Sequence, residues 1–77
     1  MKTVLLKLSQ ATIGKFYKVE DMTALQTLAK RMAILGVNTG VFIQLLSLYK
    51  HGAVVKTPCG EIAIGADLLD SIMVTIA

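Results

Sequence analysis

The sequence predicts a small, mainly β domain, a five-stranded antiparallel barrel with one α-helix across an open end. Three observations predict it. Glycines at positions 14, 36, 40, 52, 60 and 65 cut the 77-residue chain into short segments, as all-β folds require. Several of those segments alternate apolar and polar residues, the mark of a strand with one buried face. One segment, Thr23 to Gly36, changes to spacings of three and four, the mark of an amphipathic helix.

The elements follow in order. Val4 to Leu8 is apolar with Lys7 inserted, and Ser9-Gln10-Ala11-Thr12 follows, which predicts a short extended or turn-like entry. Ile13 to Glu20 is expected as a strand, with Ile13, Lys15, Tyr17 and Val19 on one side and Gly14, Phe16, Lys18 and Glu20 on the other. In the helix, Leu25, Leu28, Ala29, Met32 and Leu35 form the inner stripe. Thr23 with Gln26 makes a capping-box pattern at its start. Asp21 adds negative charge near the positive end of the dipole, and Lys30 and Arg31 lie toward the other end. Gly36 is suited to the left-handed conformation that closes a helix.

Val41 to Tyr49 carries apolar groups on both faces, as a strand buried on one face and partly covered on the other would. His51-Gly52 gives a turn, Ala53 to Thr57 a strand, and Pro58-Cys59-Gly60 a second turn, with proline fixing φ and glycine tolerating unusual dihedrals. Glu61 to Ile64 is the next strand, Gly65 to Asp70 a bend or short helix, and Ile72 to Ile76 a closing strand. Short strands in this order curl and close, because closure removes exposed edges. The expectation is a small SH3-like barrel forming one domain over residues 1–77.

Composition narrows how such a domain is held together. A chain this short buries only about 60% of the surface its unfolded form exposes. Cys59 is the only cysteine, so no disulfide forms within the chain. One Cys and one His, His51, do not supply the four ligands of a structural zinc site. Apolar packing is left, and 55% hydrophobic residues with a mean hydropathy of +0.68 fit it. That fraction exceeds the usual range of about 45–50%. Either strands are buried on most sides, or the excess forms a contact patch.

The longest uncharged stretch, Met32 to Tyr49, is broken by Gly36-Val37-Asn38-Thr39-Gly40, so no spanning helix is expected. Lys7 interrupts the N-terminal apolar run, which leaves no signal-peptide core. A cytoplasmic, soluble protein without membrane insertion is expected. The net charge is +3, with basic residues scattered and only Lys30-Arg31 adjacent. Nucleic-acid binders cluster such charges on one face, so no nucleic-acid partner is expected. A mild positive charge suits solubility and work near an anionic membrane surface.

The stretch Arg31-Met32-Ala33-Ile34-Leu35-Gly36-Val37-Asn38-Thr39-Gly40-Val41-Phe42-Ile43 resembles the central motif of ferrous iron transport protein A domains. There a basic helix ends in a Leu-Gly-apolar segment, two positions pass, and a glycine opens the next strand. Gly60-Glu61-Ile62-Ala63-Ile64 is similar to the family's second glycine and strand, and Ile72-Met73-Val74 to its closing strand. The chain departs from the family at Leu48 to Gly52, which is shorter and lacks a proline pair, at Gly65, where a basic residue is common, and at Leu68-Leu69, where an acidic-Ala pair is usual. The resemblance implies a cytoplasmic accessory that docks on a membrane ferrous iron transporter carrying its own GTP-binding domain. A similar domain ends certain iron- or manganese-responsive repressors. A stand-alone metal-sensing domain is the alternative it implies.

The residues themselves show little reactive chemistry. The glycines of Gly36 to Gly40 are not followed by Lys-Ser or Lys-Thr, so they form no phosphate loop. Cys59 and His51 would approach across a hairpin, but no third residue orients them as a nucleophilic pair. His51, Cys59, Glu61 and Asp67 are the residues a metal would use, and a site shared between two copies in a homo-oligomer would double the ligand count. As single residues they are expected as turn residues in solvent. Asp67 and Asp70 are expected on a solvated edge. Met22, Met32 and Met73 are candidates to line an adaptable groove, although at its helical spacing Met32 is more often simply core. No enzyme activity and no cofactor are expected. The candidate partner surface is the helix and its exit: Lys30, Arg31, Ile34, Leu35, Gly36, Val37 and Gly40, with Leu69 nearby. Charge and fold class alone would also suit a small RNA- or ribosome-associated barrel.

Overall fold

The structure is a computed structural model that describes residues 4–77. One antiparallel sheet organises it. Strands β1 (Leu6–Lys7), β2 (Phe16–Asp21), β3 (Phe42–Tyr49), β4 (Gly52–Thr57), β5 (Gly60–Gly65) and β6 (Met73–Ile76) are arranged in the order β1-β6-β2-β3-β4-β5. Helix α1 (Leu28–Ile34) lies between β2 and β3, and helix α2 (Ala66–Leu69) between β5 and β6. This is the expected mainly β, SH3-like architecture with one main helix. The added strand is β1, two residues long, in the segment expected only as an entry.

Two bulges bend the sheet. The β2–β6 register shifts between Val19 and Asp21, and the β3–β4 register between Leu45 and Ser47. An extra residue in one strand of a pair increases local twist, which curls a short sheet around its own side chains. At the sheet's ends, β1 and β5 are joined through helical turns. Ser9, in a 3-10 turn over Leu8–Gln10, donates a hydrogen bond from its hydroxyl to Asp70 at the end of α2.

The core takes alternate residues from β2, β3 and β4, and Val74 of β6 with Ile72 just before that strand. Tyr17 and Val19, Ile43 and Leu45, Ala53 and Val55, and Ile72 with Val74 are all buried. Fully burying one such large apolar side chain contributes about 1.5–3 kcal/mol. Tyr17 keeps its polar end satisfied, because its hydroxyl oxygen accepts the Thr12 N–H at 2.7 Å.

Two elements differ from expectation. The strand expected from Ile13 begins at Phe16, because Thr12 to Lys15 forms a turn around Gly14 at φ +90°, with Lys15 N–H donating to the Thr12 carbonyl. Ile13 is therefore exposed and not a companion of Tyr17. The helix expected over Thr23 to Gly36 is split. A 3-10 turn covers Thr23–Leu25, Gln26 turns the chain at φ +53°, and α1 begins only at Leu28. The Thr23–Gln26 capping box does not form. Asp21 does the capping instead, its Oδ1 accepting the Thr23 N–H at 2.8 Å and the Thr23 hydroxyl at 2.7 Å. Leu28 and Leu35, placed on the inner stripe by periodicity, are exposed as a result. Ile76, at the end of β6, is exposed as well.

Candidate docking surface

The exit of α1 is built by a Schellman motif. Gly36 N–H donates to the Ala33 carbonyl at 3.1 Å, and Val37 N–H donates to the Met32 carbonyl at 2.8 Å. Gly36 supplies the positive φ, +104°, that this motif needs. The motif brings together the residues at its two ends, Met32 and Val37, and both are buried. Gly36 is also buried, against the β4–β5 turn: a Cβ there would lie 2.5 Å from Thr57 Oγ1 and 3.0 Å from Cys59 Cβ. Thr57 Oγ1 is itself fixed, accepting the Cys59 N–H at 3.0 Å and donating to the Gly60 carbonyl at 2.9 Å.

The expected partner surface therefore loses two members. Val37 is 0% exposed and belongs to the core, and Gly36 is a packing residue. The turn expected to protrude from Gly36 to Gly40 projects only at Asn38 to Gly40, and Gly40 N–H is tied to the Val19 carbonyl at 2.7 Å. Leu69 is buried too. Lys30, Arg31, Ile34 and Leu35 remain, all exposed. At 100° per residue they form one continuous face opposite Met32, Ala29 and Ala33. Ile34 is 82% exposed, the largest value among the exposed large apolar residues.

The residues considered for chemistry are held apart. His51 precedes β4 and Cys59 follows it. Six strand residues rise about 20 Å, so β4 separates this pair, and both are exposed turn residues, as expected of each singly. Among the described residues no three His, Cys, Asp or Glu side chains come close enough to hold a metal ion. Asp70 is engaged by Ser9, while Asp67 is exposed. Met22 and Met32 are core residues and Met73 is half-buried; Met22 alone of the three lines a concavity, of about 390 Å³.

A model of the FeoA domain matches residues 6–76 of the chain. The chain belongs to the FeoA domain family. Solved structures agree on the fold of this FeoA domain. An iron uptake regulatory protein, FeoA, superposes with a TM-score of 0.84 at 21% identity, over 96% of this chain and 100% of that one. The FeoA protein from Chlorobium tepidum superposes with a TM-score of 0.81 at 22% identity, over 92% of this chain and 70% of that one. T. acidophilum IdeR superposes with a TM-score of 0.85 at 18% identity, over 100% of this chain but 36% of its own. The search of curated proteins finds no match.

The FeoA domain has a second surface that sequence reasoning missed. Phe16, Gln44 and Lys56 are successive cross-strand partners on β2, β3 and β4, and Lys18 partners Phe42 one row along. Directly opposed residues share a face, here the outer one. Phe16 is 57% and Phe42 56% exposed. With Pro58 and Thr57 they line a concavity of about 210 Å³. Gln44 forms one wall, its Nε2 donating to the Gly14 carbonyl at 3.0 Å. The available signal was the outward parity assigned to Phe16, an aromatic on the side opposite Tyr17 and Val19. Among the described residues no helix is long and apolar enough to cross a membrane.

Proposed function

We propose that this FeoA domain is a cytoplasmic, non-enzymatic accessory of ferrous iron uptake that docks on the cytoplasmic GTP-binding part of a membrane ferrous iron transporter. The observation that carries this reading is the aromatic concavity on the sheet. Two half-exposed phenylalanines beside a proline turn cost solvation free energy unless covered, and the space is below the 300–1,000 Å³ typical of small-molecule sites. It fits an apolar side chain presented by a protein. Gly36, packed on Thr57 and Cys59, ties the exit of α1 to the β4–β5 turn that borders this concavity.

Calorimetric titration of the domain with the purified cytoplasmic part of the transporter tests the reading. Phe42→Ser should weaken binding by tenfold or more, the effect of removing a buried aromatic anchor, with the circular dichroism spectrum unchanged. Equal affinity for Phe42→Ser and the parent would remove the concavity from the contact.

A second reading has one observation in its favour. The whole chain superposes on part of T. acidophilum IdeR and, with a TM-score of 0.80, on part of a manganese-dependent transcriptional repressor. A stand-alone metal-sensing domain would then be expected to bind ferrous, manganous or zinc ions at a site shared between copies. Titration with each ion, read by calorimetry and by mass in solution, separates the readings: saturable binding with dimerisation supports metal sensing.

A further inference from the structure

Every large apolar side chain left on the outside of α1 sits beside a cation. Lys30 and Ile34 are four residues apart, as are Arg31 and Leu35, so each pair is stacked on one face of the helix. Ile34 is 82% exposed and Leu35 50%. The face presents aliphatic side chains and no aromatic one, and Lys30 at its edge also lines a concavity of about 390 Å³ beside Met22 and Asn38. The charges that follow Asp21 in sequence are of one sign as far as Gly60, with Glu61 the first carboxylate beyond. From Met22 to Gly60 the sequence contains Lys30, Arg31, Lys50, His51 and Lys56 and no acidic residue. The nearest carboxylate before α1, Asp21, is held by Thr23 at the far end of the 3-10 turn. The one ion pair among the described residues joins Lys18 to Glu20, on β2. Among the described residues neither Lys30 nor Arg31 forms an ion pair.

We propose that this face of α1 rests on an anionic lipid surface, with Ile34 and Leu35 at the boundary between headgroups and acyl chains and Lys30 and Arg31 on lipid phosphates. The chemistry favours lipid over a second protein contact. A protruding aliphatic flanked by cations inserts into a headgroup layer without needing a matching pocket, and cations near an anionic leaflet are attracted without fixed geometry. One turn of helix with two cations supports only weak, reversible association, since stable anchoring takes two signals. The second signal is the transporter. The inference thus builds on the proposed docking, and the two surfaces adjoin: the α1 exit packs on the same β4–β5 turn whose Pro58 lines the concavity.

Flotation of the full chain with vesicles, without any transporter, tests this. Vesicles of phosphatidylcholine with one quarter phosphatidylglycerol should bind at least about tenfold more protein than pure phosphatidylcholine vesicles, given a roughly fivefold gain per basic residue at an anionic surface. High salt should abolish the difference. Arg31→Glu should lower partitioning about 25-fold, and Ile34→Ser about fivefold. Both sites are exposed, so the circular dichroism spectrum should stay that of the parent. Equal binding to the two vesicle types, no partitioning at millimolar lipid, or variants that partition like the parent would overturn the inference. Failure on vesicles with retained transporter binding would sink only the lipid contact. Loss of transporter binding in the Phe42→Ser variant bears only on the docking.

Discussion

Replacing Gly36 by alanine should remove a large share of this domain's stability, through two separable costs. The first is conformational. At φ +104° an L-residue is strained, by about 1–2 kcal/mol. The second is steric. The new Cβ would lie 2.5 Å from Thr57 Oγ1, 3.0 Å from Cys59 Cβ and 3.2 Å from Thr57 Cβ. Thr57 cannot rotate away freely, because its Oγ1 holds both the Cys59 N–H and the Gly60 carbonyl. Overpacking of this kind costs about 1–3 kcal/mol. The total, about 2–5 kcal/mol, is set against a global stability of about 4–12 kcal/mol for 77 residues. Gly40→Ala is the internal control. Gly40 has φ +89° with nothing within 4 Å of its would-be Cβ, so it should show the conformational cost alone, about 1–2 kcal/mol. Urea unfolding followed by circular dichroism measures both, with slopes expected to match the parent. A Thr57→Ala background should reduce the Gly36→Ala penalty by about 1 kcal/mol, because the nearest contact is gone. If Gly36→Ala and Gly40→Ala cost the same, the packing of the helix exit on the β4–β5 turn is not the constraint described here.

Three further expectations follow from the same geometry. Val37→Ala should destabilise by about 2 kcal/mol because Val37 is 0% exposed, whereas Ile34→Ala should stay within about 0.5 kcal/mol of the parent; urea midpoints compare them, and equal losses would contradict the assignment of Val37 to the core and Ile34 to the surface. Tyr17→Phe should cost about 1–2 kcal/mol, because the Thr12 N–H loses its acceptor; faster amide exchange at Thr12 is the local readout, and unchanged exchange would count against the bond. The Asp21 carboxyl is held below its ordinary value, first by the hydrogen bond from the Thr23 backbone N–H and then by the Thr23 hydroxyl. Its contribution to stability is therefore fully present above the unfolded aspartate pKa of about 3.9 and is lost as pH falls through the depressed folded value. A carbon-detected titration should place Asp21 below the ordinary value, Thr23→Ala should raise it, and a titration at or above 3.9 would refute the cap.

The sequence displayed the parts of this fold that depend on short-range chemistry. Pro58-Cys59-Gly60 marks the β4–β5 hairpin because proline and glycine fix backbone angles locally, and the β3 and β4 boundaries fell within a residue of expectation. The split before α1 was hidden, because Gln26 is not a residue type that advertises a positive φ and periodicity alone joined Leu25 to Leu28. β1 was hidden because two residues show no alternation, and their pairing with β6 is decided 66 positions away, as in Lys7 with Met73. Val37 was legible in principle. A helix closed by glycine commonly packs the residue after it on the residue four before that glycine, here Met32, so Leu35-Gly36-Val37 predicts a buried valine wherever the full motif forms. The lysine and arginine of α1 were found from their position near the helix end. The phenylalanine concavity was not, because it takes residues from three strands whose register is set only in the folded sheet.

The place of β6 in the sheet governs how this chain must fold as it is made. β6 lies between β1 and β2, the first two strands to be synthesised. A nascent chain emerging from the ribosome can join β2 to β3 and β4 to β5 early, as neighbouring hairpins or short crossovers. β1 and the outer edge of β2 stay without partners until residue 76 is free. Removing Met73–Ile76 would therefore leave β1 and the outer edge of β2 without the backbone partners they have in the sheet.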